Sequence, residues 1–530
     1  MTPGPGRRGR TPFLLAVPGL IVAAVVLLPL AYLLGRATSG GSRAWEVLWR
    51  ARTLDLLGST GLLVVGVTVA ALLVAVPLAW LVTRTDLPGR RAWAVAAALP
   101  LVIPSYVAAL CLLGAFGPGG LVRETFGLEH VPLITGYWGA LLALTLSTYP
   151  YVFLLTAAAL RELDPSLEEA AQGLGLSRTA VFRRVTLPAL RPSAGAGALL
   201  VALYTLSDFG VVSLMRYDAL TRAIYNQYRS LFDRTPAAVL GLVLVSLTAV
   251  VLVVELRTRR GARYYRASPG AARRAAPIRL GLWRWPALAF CTLVVGAFLA
   301  LPGVVLGYWL ERGIAAERVL EIPAQQALNS LGASGLAAVV AVAAALPVAV
   351  LALRHRSRWT VTLERACYAG NALPGIVIAL SLVFFAARYV PQLYQTLALL
   401  VLAYVVRFFA HALSGVGSAL ETVNPRLEEA SRGLGRGRLH TLITVTIPLA
   451  RSGILAGSAL VFLSTMKELP ATLLLRPIGF ETLATEIWKL TQVGAYSRAA
   501  LPALALIAVL VPILFLLGRP GATAKPASGE

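Results

Sequence analysis

The sequence predicts an all-α polytopic membrane protein with about twelve transmembrane helices, arranged as two parallel six-helix repeats. Apolar residues make up 58% of the chain and charged residues only 14%, a balance typical of a chain embedded in a bilayer. Long apolar runs alternate with short polar segments throughout. One of those polar segments occurs twice, at a constant offset that places Glu168 in register with Glu428. An internal repeat of this kind predicts a two-fold architecture.

Twelve runs approach the length of about twenty apolar residues that crosses a bilayer. Lys467 and Glu468 interrupt the eleventh run. The first follows an arginine cluster, but its apolar stretch is too long for a typical signal peptide, so we expect an uncleaved span. The predicted spans cover residues 12–35, 55–83, 92–115, 136–160, 193–215, 236–256, 285–310, 327–353, 366–387, 393–417, 452–466 with flanking residues, and 499–518.

The spans divide into a first repeat, 1–256, and a second repeat, 285–518, with a C-terminal tail at 519–530. An arginine-rich segment at 257–284 is predicted to be a basic cytoplasmic linker. Prolines match between the halves: Pro77 with Pro347, and Leu99-Pro100 with Leu373-Pro374. Because each half has an even number of spans, the repeats are parallel rather than inverted.

The net charge of +24 is explained by orientation and not by nucleic-acid binding. With both termini in the cytoplasm, most lysines and arginines fall on the cytoplasmic side, as the positive-inside rule requires. The three cysteines, Cys111, Cys291 and Cys367, lie in separate spans. Their spacing fits neither a disulfide framework nor a metal site.

The repeated segment predicts a short cytoplasmic helix in each half, at about 164–176 and 424–436. Asp164-Pro165 and Asn424-Pro425 combine a capping side chain with proline at the first helical position. Glycines at 175 and 435 let the chain turn out of the helix. A second short helical piece then reaches Leu187-Pro188 or Ile447-Pro448, where proline suits the start of the next span. The alternative is a pair of passive surface loops.

The spacing Glu169-Ala170-Ala171, Gly175, Val185, Leu187-Pro188 resembles the EAA motif of permeases of binding-protein-dependent ABC importers. The second copy is Glu429-Ala430-Ser431, Gly435, Val445, Ile447-Pro448, which departs from the pattern only at Ser431. Two copies on one chain resemble the fused iron(III)-type permeases, and the resemblance covers most of the chain.

The resemblance implies that each motif is a coupling helix, held in a cleft of a cytoplasmic ABC ATPase homodimer that binds ATP and Mg²⁺. It also implies an extracytoplasmic substrate-binding protein and a place in the inner membrane of a prokaryote. The four glutamates are expected to meet basic groups on the ATPase. The implied coupling residues are Glu168, Glu169, Ala170, Ala171, Gly175, Pro188, Glu428, Glu429, Ala430, Ser431, Gly435 and Pro448.

The sequence contains no machinery for catalysis. It has no Walker-type phosphate loop and no serine in a nucleophile-elbow sequence. The four histidines, at 130, 355, 411 and 440, are scattered over unrelated segments. We therefore expect a transport subunit without its own ATPase, cofactor or firmly assigned metal site.

Charges within the spans are costly and usually functional. Asp208 and Glu468 occupy matching positions toward the outer ends of the fifth and eleventh spans, and with Lys467 they are candidates for the translocation path or its gate. Two facing carboxylates would suit a hard cation such as ferric iron. The structural alternative pairs Glu468 with Lys467 and makes Asp208 the cap of a broken helix. Arg407 is either an ion-pair partner or a side chain that snorkels to the cytoplasmic side.

Polar outer segments follow both sites and offer Arg222, Tyr225 and Arg476 as candidate contacts for the binding protein, although basic loops are often only solvated. The resemblance favours ferric iron as substrate. Thiamine, sulfate, molybdate, phosphonates and polyamines are the alternatives within the same architecture. An ion-coupled secondary transporter is the alternative from another class.

Overall fold

The computed structural model describes residues 13–39, 41–127, 133–229, 235–261, 277–316 and 323–518. Within these ranges the chain is helical apart from turns, connecting segments and one isolated β-bridge between Thr85 and Ile278. Most of the predicted linker and all of the C-terminal tail lie outside the described residues, as does His130. The all-α polytopic class predicted from composition is confirmed.

Thirteen helices form the first half. They are α1 (Phe13–Ser39), α2 (Gly41–Leu48), α3 (Ala51–Arg84), α4 (Arg90–Ala98), α5 (Ser105–Phe116), α6 (Leu121–Phe126), α7 (Gly136–Glu162), α8 (Pro165–Gly173), α9 (Arg178–Val181), α10 (Leu187–Ser207), α11 (Gly210–Leu214), α12 (Leu220–Arg229) and α13 (Thr235–Gly261).

Twelve helices form the second half. They are α14 (Arg284–Val295), α15 (Leu301–Ala315), α16 (Ala324–Arg354), α17 (Arg358–Ala369), α18 (Gly375–Tyr389), α19 (Leu397–Thr422), α20 (Pro425–Gly433), α21 (Arg438–Thr441), α22 (Ile447–Met466), α23 (Pro470–Leu475), α24 (Leu483–Gln492) and α25 (Tyr496–Gly518). Eleven helices in the described residues are long and apolar enough to span a membrane, and a bent pair brings the number to twelve.

The fifth and eleventh spans start earlier than predicted. Each is continuous, over Thr179–Ser207 and Leu439–Met466, because the proline does not begin a new helix. Pro188 has no N–H to donate, and the preceding turn widens into a π-helix, Phe182–Thr186, in which the Leu187 N–H bonds to the Phe182 carbonyl five residues back. The second half repeats this geometry in Leu442–Thr446. A π-turn thus carries the helix past the proline.

The third span of each half is broken, and the break corrects one predicted pairing. In the second half, α17 and α18 meet at a bend of 103°. Pro374 precedes α18 in extended conformation, and Pro104 precedes α5 in the same way. Pro104 is therefore the counterpart of Pro374, with the same offset that relates Pro77 to Pro347. The predicted match of Pro100 with Pro374 is wrong by one helical turn.

The first and last spans of each half pack into the core of the other half. Helix α1 packs against α16, α17 and α18, whereas α15 packs against α5 and α25. Two buried clusters result. One joins the second to fourth spans of the first half to the seventh and twelfth spans. The other joins the eighth to tenth spans to the first and sixth. Neither half of the sequence contains a complete core.

The end of the predicted linker is attached to the first half. The Ile278 N–H donates to the Arg84 carbonyl at 2.8 Å, and the Asp86 N–H donates to the Ile278 carbonyl at 3.1 Å. The Asp86 carboxylate also accepts from the Leu280 N–H at 2.9 Å. These bonds hold the start of the second half at the end of α3.

Candidate coupling helices and central cavity

Two short helices, α8 and α20, carry the repeated motif and are built alike. The Asp164 carboxylate accepts a hydrogen bond from the Ser166 N–H at 3.0 Å, and the Asn424 amide oxygen accepts from the Arg426 N–H at 3.0 Å. Each cap satisfies a backbone donor that the first turn leaves without a partner. The same bond holds the pKa of Asp164 below its ordinary value. The predicted capping residues are therefore in their predicted roles.

Just after each helix the chain adopts a backbone conformation that only glycine accommodates without strain. Gly175 has φ +85° and Gly435 has φ +81°, in the left-handed region that side chains with a Cβ disfavour. After Gly175, the Leu176 N–H bonds to the Ala171 carbonyl at 3.2 Å, and the Arg436 N–H bonds to the Ser431 carbonyl at 3.3 Å. These are the bonds of a Schellman motif. The spacing of the motif thus reflects one backbone geometry formed twice.

The first glutamate of each pair contacts an arginine of its own chain, and contact of the four glutamates with an ATPase stays a prediction. Glu168 lies 3.5 Å from buried Arg84 at the end of α3, and its side chain is 16% exposed. It also accepts a hydrogen bond from Thr186 at 2.7 Å. The carboxylate therefore fastens α8 to the ends of the second and fifth spans.

The second half contains the corresponding ion pair and threonine hydrogen bond. Arg354, at the end of α16, donates to Glu428 at 3.1 Å, and Thr446 donates to the same carboxylate at 3.1 Å. Arg354 also donates to the Leu420 and Val423 carbonyls at the end of α19. Neither arginine was predicted as a partner of the motif from the sequence. Arg84 and Arg354 obey the offset of Pro77 and Pro347, and that signal would have found them.

The remaining motif residues divide between the exposed and packed faces of the helices. Glu169, Glu429, Ala170 and Ala430 are exposed. Ala171 is buried, and Ser431 instead forms a hydrogen bond with Thr441 at 3.0 Å. Two leucines at matching helix ends, Leu174 and Leu434, are 86% and 83% exposed. Each coupling helix therefore presents a small, partly apolar surface, as a helix received by a partner's cleft would.

A cavity of about 310 Å³ lies between the halves and contains the predicted path residues Asp208, Glu468 and Lys467. Arg407 is ten residues into α19, which places it about 15 Å from the start of that helix at 1.5 Å per residue. Since Arg407 contacts Glu468, this carboxylate lies beside the middle part of α19. Asp208 and Glu468 come just after the C-terminal ends of α10 and α22, at Ser207 and Met466, so each lies at one end of its span as predicted; that this end is the outer one stays a prediction.

Glu468 pairs with Arg407 across 2.9 Å and not with its neighbour Lys467. Arg407 also donates to the Leu373 carbonyl at 3.1 Å, so it is an ion-pair partner and does not snorkel. Gly375 allows this packing, since a Cβ there would lie 3.1 Å from the guanidinium carbon. The Lys467 ammonium donates to the Leu101 carbonyl, in the other half, at 3.2 Å.

Asp208 caps a broken helix, as the structural alternative predicted. Its carboxylate accepts from the Val211 N–H at 2.8 Å and from the Ser105 hydroxyl at 2.5 Å. Within the described part of the chain, Asp208 has no salt-bridge partner, in contrast to Glu468. The two matching carboxylates therefore line one cavity but differ chemically.

The family described as Binding-protein-dependent transport system inner membrane component matches the chain twice, over residues 75–260 and 337–519. The chain belongs to this family. It is therefore a multi-pass permease of the inner membrane, a transport subunit that works with an ABC ATPase and a substrate-binding protein. The double match also confirms the two-repeat architecture.

The permease is similar to proteins of several transport systems. It is 33% identical to the Fe(3+)-transport system permease protein FbpB 2 of Haemophilus influenzae over 96% of this chain and 99% of that protein. It is 23% identical to the ferric transport system permease protein FbpB of Actinobacillus pleuropneumoniae over 82% of this chain and 66% of that protein. A probable sulfate transport system permease protein of Chlorella vulgaris is 32% identical over 31% of this chain and 60% of that protein.

The candidate contacts for a binding protein lie on the outer helices of the permease. Arg222 on α12 forms an ion pair with Asp218 at 2.9 Å, and Arg476 forms one with Glu481. Tyr225 packs on Phe209, with ring centroids 4.7 Å apart, and lies 6.1 Å from Trp488 of α24. It therefore joins the outer helices of the two halves to the segment that carries Asp208.

The described residues of the permease contain no group of three or more histidine, cysteine, aspartate or glutamate side chains placed to hold a metal ion. His411 lies in the cavity beside Ser464, but it is not grouped with carboxylates as a metal ligand would be.

Proposed function

We propose that this permease imports ferric iron delivered by an extracytoplasmic binding protein. The observation that carries the proposal is the 33% identity to an iron(III) permease over nearly the full length of both chains. The similarity to the sulfate permease covers less than a third of the chain, so it supports the shared architecture more than the substrate.

The coupling helices are the proposed receivers of force from the ATPase. In this mechanism the two clefts of an ATPase homodimer hold α8 and α20, and the two termini lie on the same cytoplasmic side. The ion pairs Arg84–Glu168 and Arg354–Glu428 transmit the motion to the second span of each half. Closure of the ATPase by ATP then biases a two-state rearrangement of the halves.

The central cavity is the proposed path for iron. Asp208 is the carboxylate available to a passing cation, because Arg407 already neutralises Glu468. A single carboxylate binds a hard cation weakly compared with a full oxygen ligand set. Weak contact suits a path, since a substrate held tightly would not leave.

Uptake in a reconstituted system tests the substrate. The permease, its ATPase and its binding protein are placed in liposomes, and radioactive ferric iron, sulfate, molybdate and thiamine are offered separately. We expect iron alone to accumulate, and only with ATP. Accumulation of another substrate instead of iron would refute the assignment, and uptake driven by an ion gradient without ATP would indicate a secondary transporter.

Asp208→Asn tests the path. The amide oxygen can still accept from the Val211 N–H, so the cap of α11 is kept while the charge is removed. We expect iron uptake to fall about tenfold or more, a loss of at least about 1.4 kcal/mol, while the binding protein still stimulates ATP hydrolysis. Unchanged uptake would leave Asp208 with a structural role only.

A further inference from the structure

A groove of about 1050 Å³ lies between α1 and α18, at the end where both helices terminate. The part of the groove away from the helix ends is apolar, with Leu27, Leu28 and Phe385 among the lining residues. Its mouth carries two arginines, Arg36 and Arg388, each in the last turn of its helix. Arg36 is also the last residue of the first membrane span, which places it at the boundary between hydrocarbon and headgroups.

The corresponding junction in the other half of the molecule lies between α15 and α5, and side-chain contacts close it. Tyr308 and Arg312 of α15 stand in the register of Tyr32 and Arg36 of α1, and α15 packs on α5 as α1 packs on α18. There, Trp309 donates to the Gly114 carbonyl at 2.9 Å. Arg312 pairs with Glu124 at 2.6 Å, and Tyr308 donates to the same carboxylate at 2.7 Å.

Among the described residues, the α1–α18 junction has no counterpart of these closing groups. Leu33 stands in the register of Trp309, and Phe384 occupies the place of Gly114, where a Cβ would lie 2.7 Å from the indole nitrogen of Trp309. The stretch after α18, residues 390–396, contains no acidic residue. Within the described residues, neither Arg36 nor Arg388 has a side-chain hydrogen bond or an ion pair.

Two like charges at the mouth of one apolar groove suit an anion with an apolar body. We infer that this groove is a binding site for an anionic phospholipid of the surrounding bilayer. The phosphate is held by Arg36 and Arg388, and an acyl chain lies along the apolar floor between α1 and α18. Basic residues at the headgroup level attract anionic lipids, and guanidinium groups suit phosphate geometry. The lipid takes the place of the Glu124 carboxylate and the Trp309 ring of the closed junction.

Native mass spectrometry of the purified full chain tests the site, with phosphatidylglycerol and phosphatidylcholine of identical acyl chains offered in equal amounts. We expect preferential retention of phosphatidylglycerol. The double variant Arg36→Gln/Arg388→Gln should reduce that retention about tenfold or more, since each basic group at the surface contributes about fivefold. Arg50→Gln removes another exposed arginine near the same membrane surface and should leave retention unchanged.

Two further variants distinguish lipid binding in the groove from electrostatic attraction of anionic lipid to the surface arginines. Arg388→Glu offers Arg36 an internal partner, as Glu124 offers Arg312, and should abolish the preference for phosphatidylglycerol. Ala31→Trp places a ring in the groove, keeps both arginines and should reduce lipid retention. Equal retention of the two lipids by the native chain would overturn the inference, as would full retention by the double variant. Displacement of phosphatidylglycerol by inorganic phosphate would also overturn it, because it would show a headgroup site without the acyl chain.

Discussion

Arg407 and Glu468 form an ion pair beside the central cavity, where their side chains are only 19% and 6% exposed. Removing one member of such a pair leaves the other charge buried without compensation, which costs about 3–5 kcal/mol. We expect Arg407→Gln to lower the thermal unfolding temperature in detergent substantially. The double variant Arg407→Gln/Glu468→Gln should recover much of the loss. If the loss of stability in the double variant equals the sum of the losses in Arg407→Gln and Glu468→Gln, the interaction between the two residues contributes nothing.

Gly435 lies in the left-handed region, so any side chain there strains the exit from α20 by roughly 1–2 kcal/mol. We expect Gly435→Val to leave the protein in the membrane but to reduce transport per ATP hydrolysed. The matched control is Gly433→Ala, because Gly433 lies within α20 and a Cβ there would meet nothing within 4 Å. Equal effects of the two variants in reconstituted liposomes would show that the backbone geometry of the exit is unimportant.

At the scale of the helix, α8 and α20 expose leucines where a soluble surface would carry polar groups. Leu434→Glu should weaken association with the ATPase about tenfold, because burying an uncompensated charge in a docking cleft is unfavourable. Ile478→Glu is the control, since Ile478 is 88% exposed but lies between α23 and α24, outside the coupling helices. Co-purification of the ATPase with each variant measures the effect. Equal loss from both would indicate a general defect in the fold and would contradict the docking surface.

The helices also show what the sequence could and could not predict. Twelve spans and two coupling helices follow from run length and from the repeated Asp/Asn-Pro and glycine positions, because these depend on local chemistry. The passage of the fifth span through Pro188 could not be predicted, since proline ordinarily ends a helix and only the widened turn over Phe182–Thr186 avoids this. The contact of Glu168 with Arg84 was missed because it joins residues far apart in the chain.

At the scale of the whole molecule, the packing of the first and last spans of each half in the core of the other half could not be predicted for a different reason. An apolar face packs equally well against lipid or against a neighbouring helix, so the composition of α1 does not reveal that it belongs to the core of the other half. Only the buried clusters show this.

Splitting the chain between Gly261 and Pro277 tests that packing. Each half expressed alone lacks two spans of its core, so we expect it to be degraded or to aggregate. Expression of both halves together should restore a complex that can be purified through a tag on either one. A stable, monodisperse single half in detergent would contradict the shared cores.

The attachment of Ile278 beside Arg84 has a mechanical consequence. Coupling helix α8 is attached to the end of α3, which also binds the start of the second half. Coupling helix α20 is attached to the end of α16, where the described residues show no corresponding backbone pairing. If the ATPase is a homodimer, as proposed, its identical subunits would act on two differently attached coupling helices, and its two nucleotide sites need not hydrolyse ATP at the same rate.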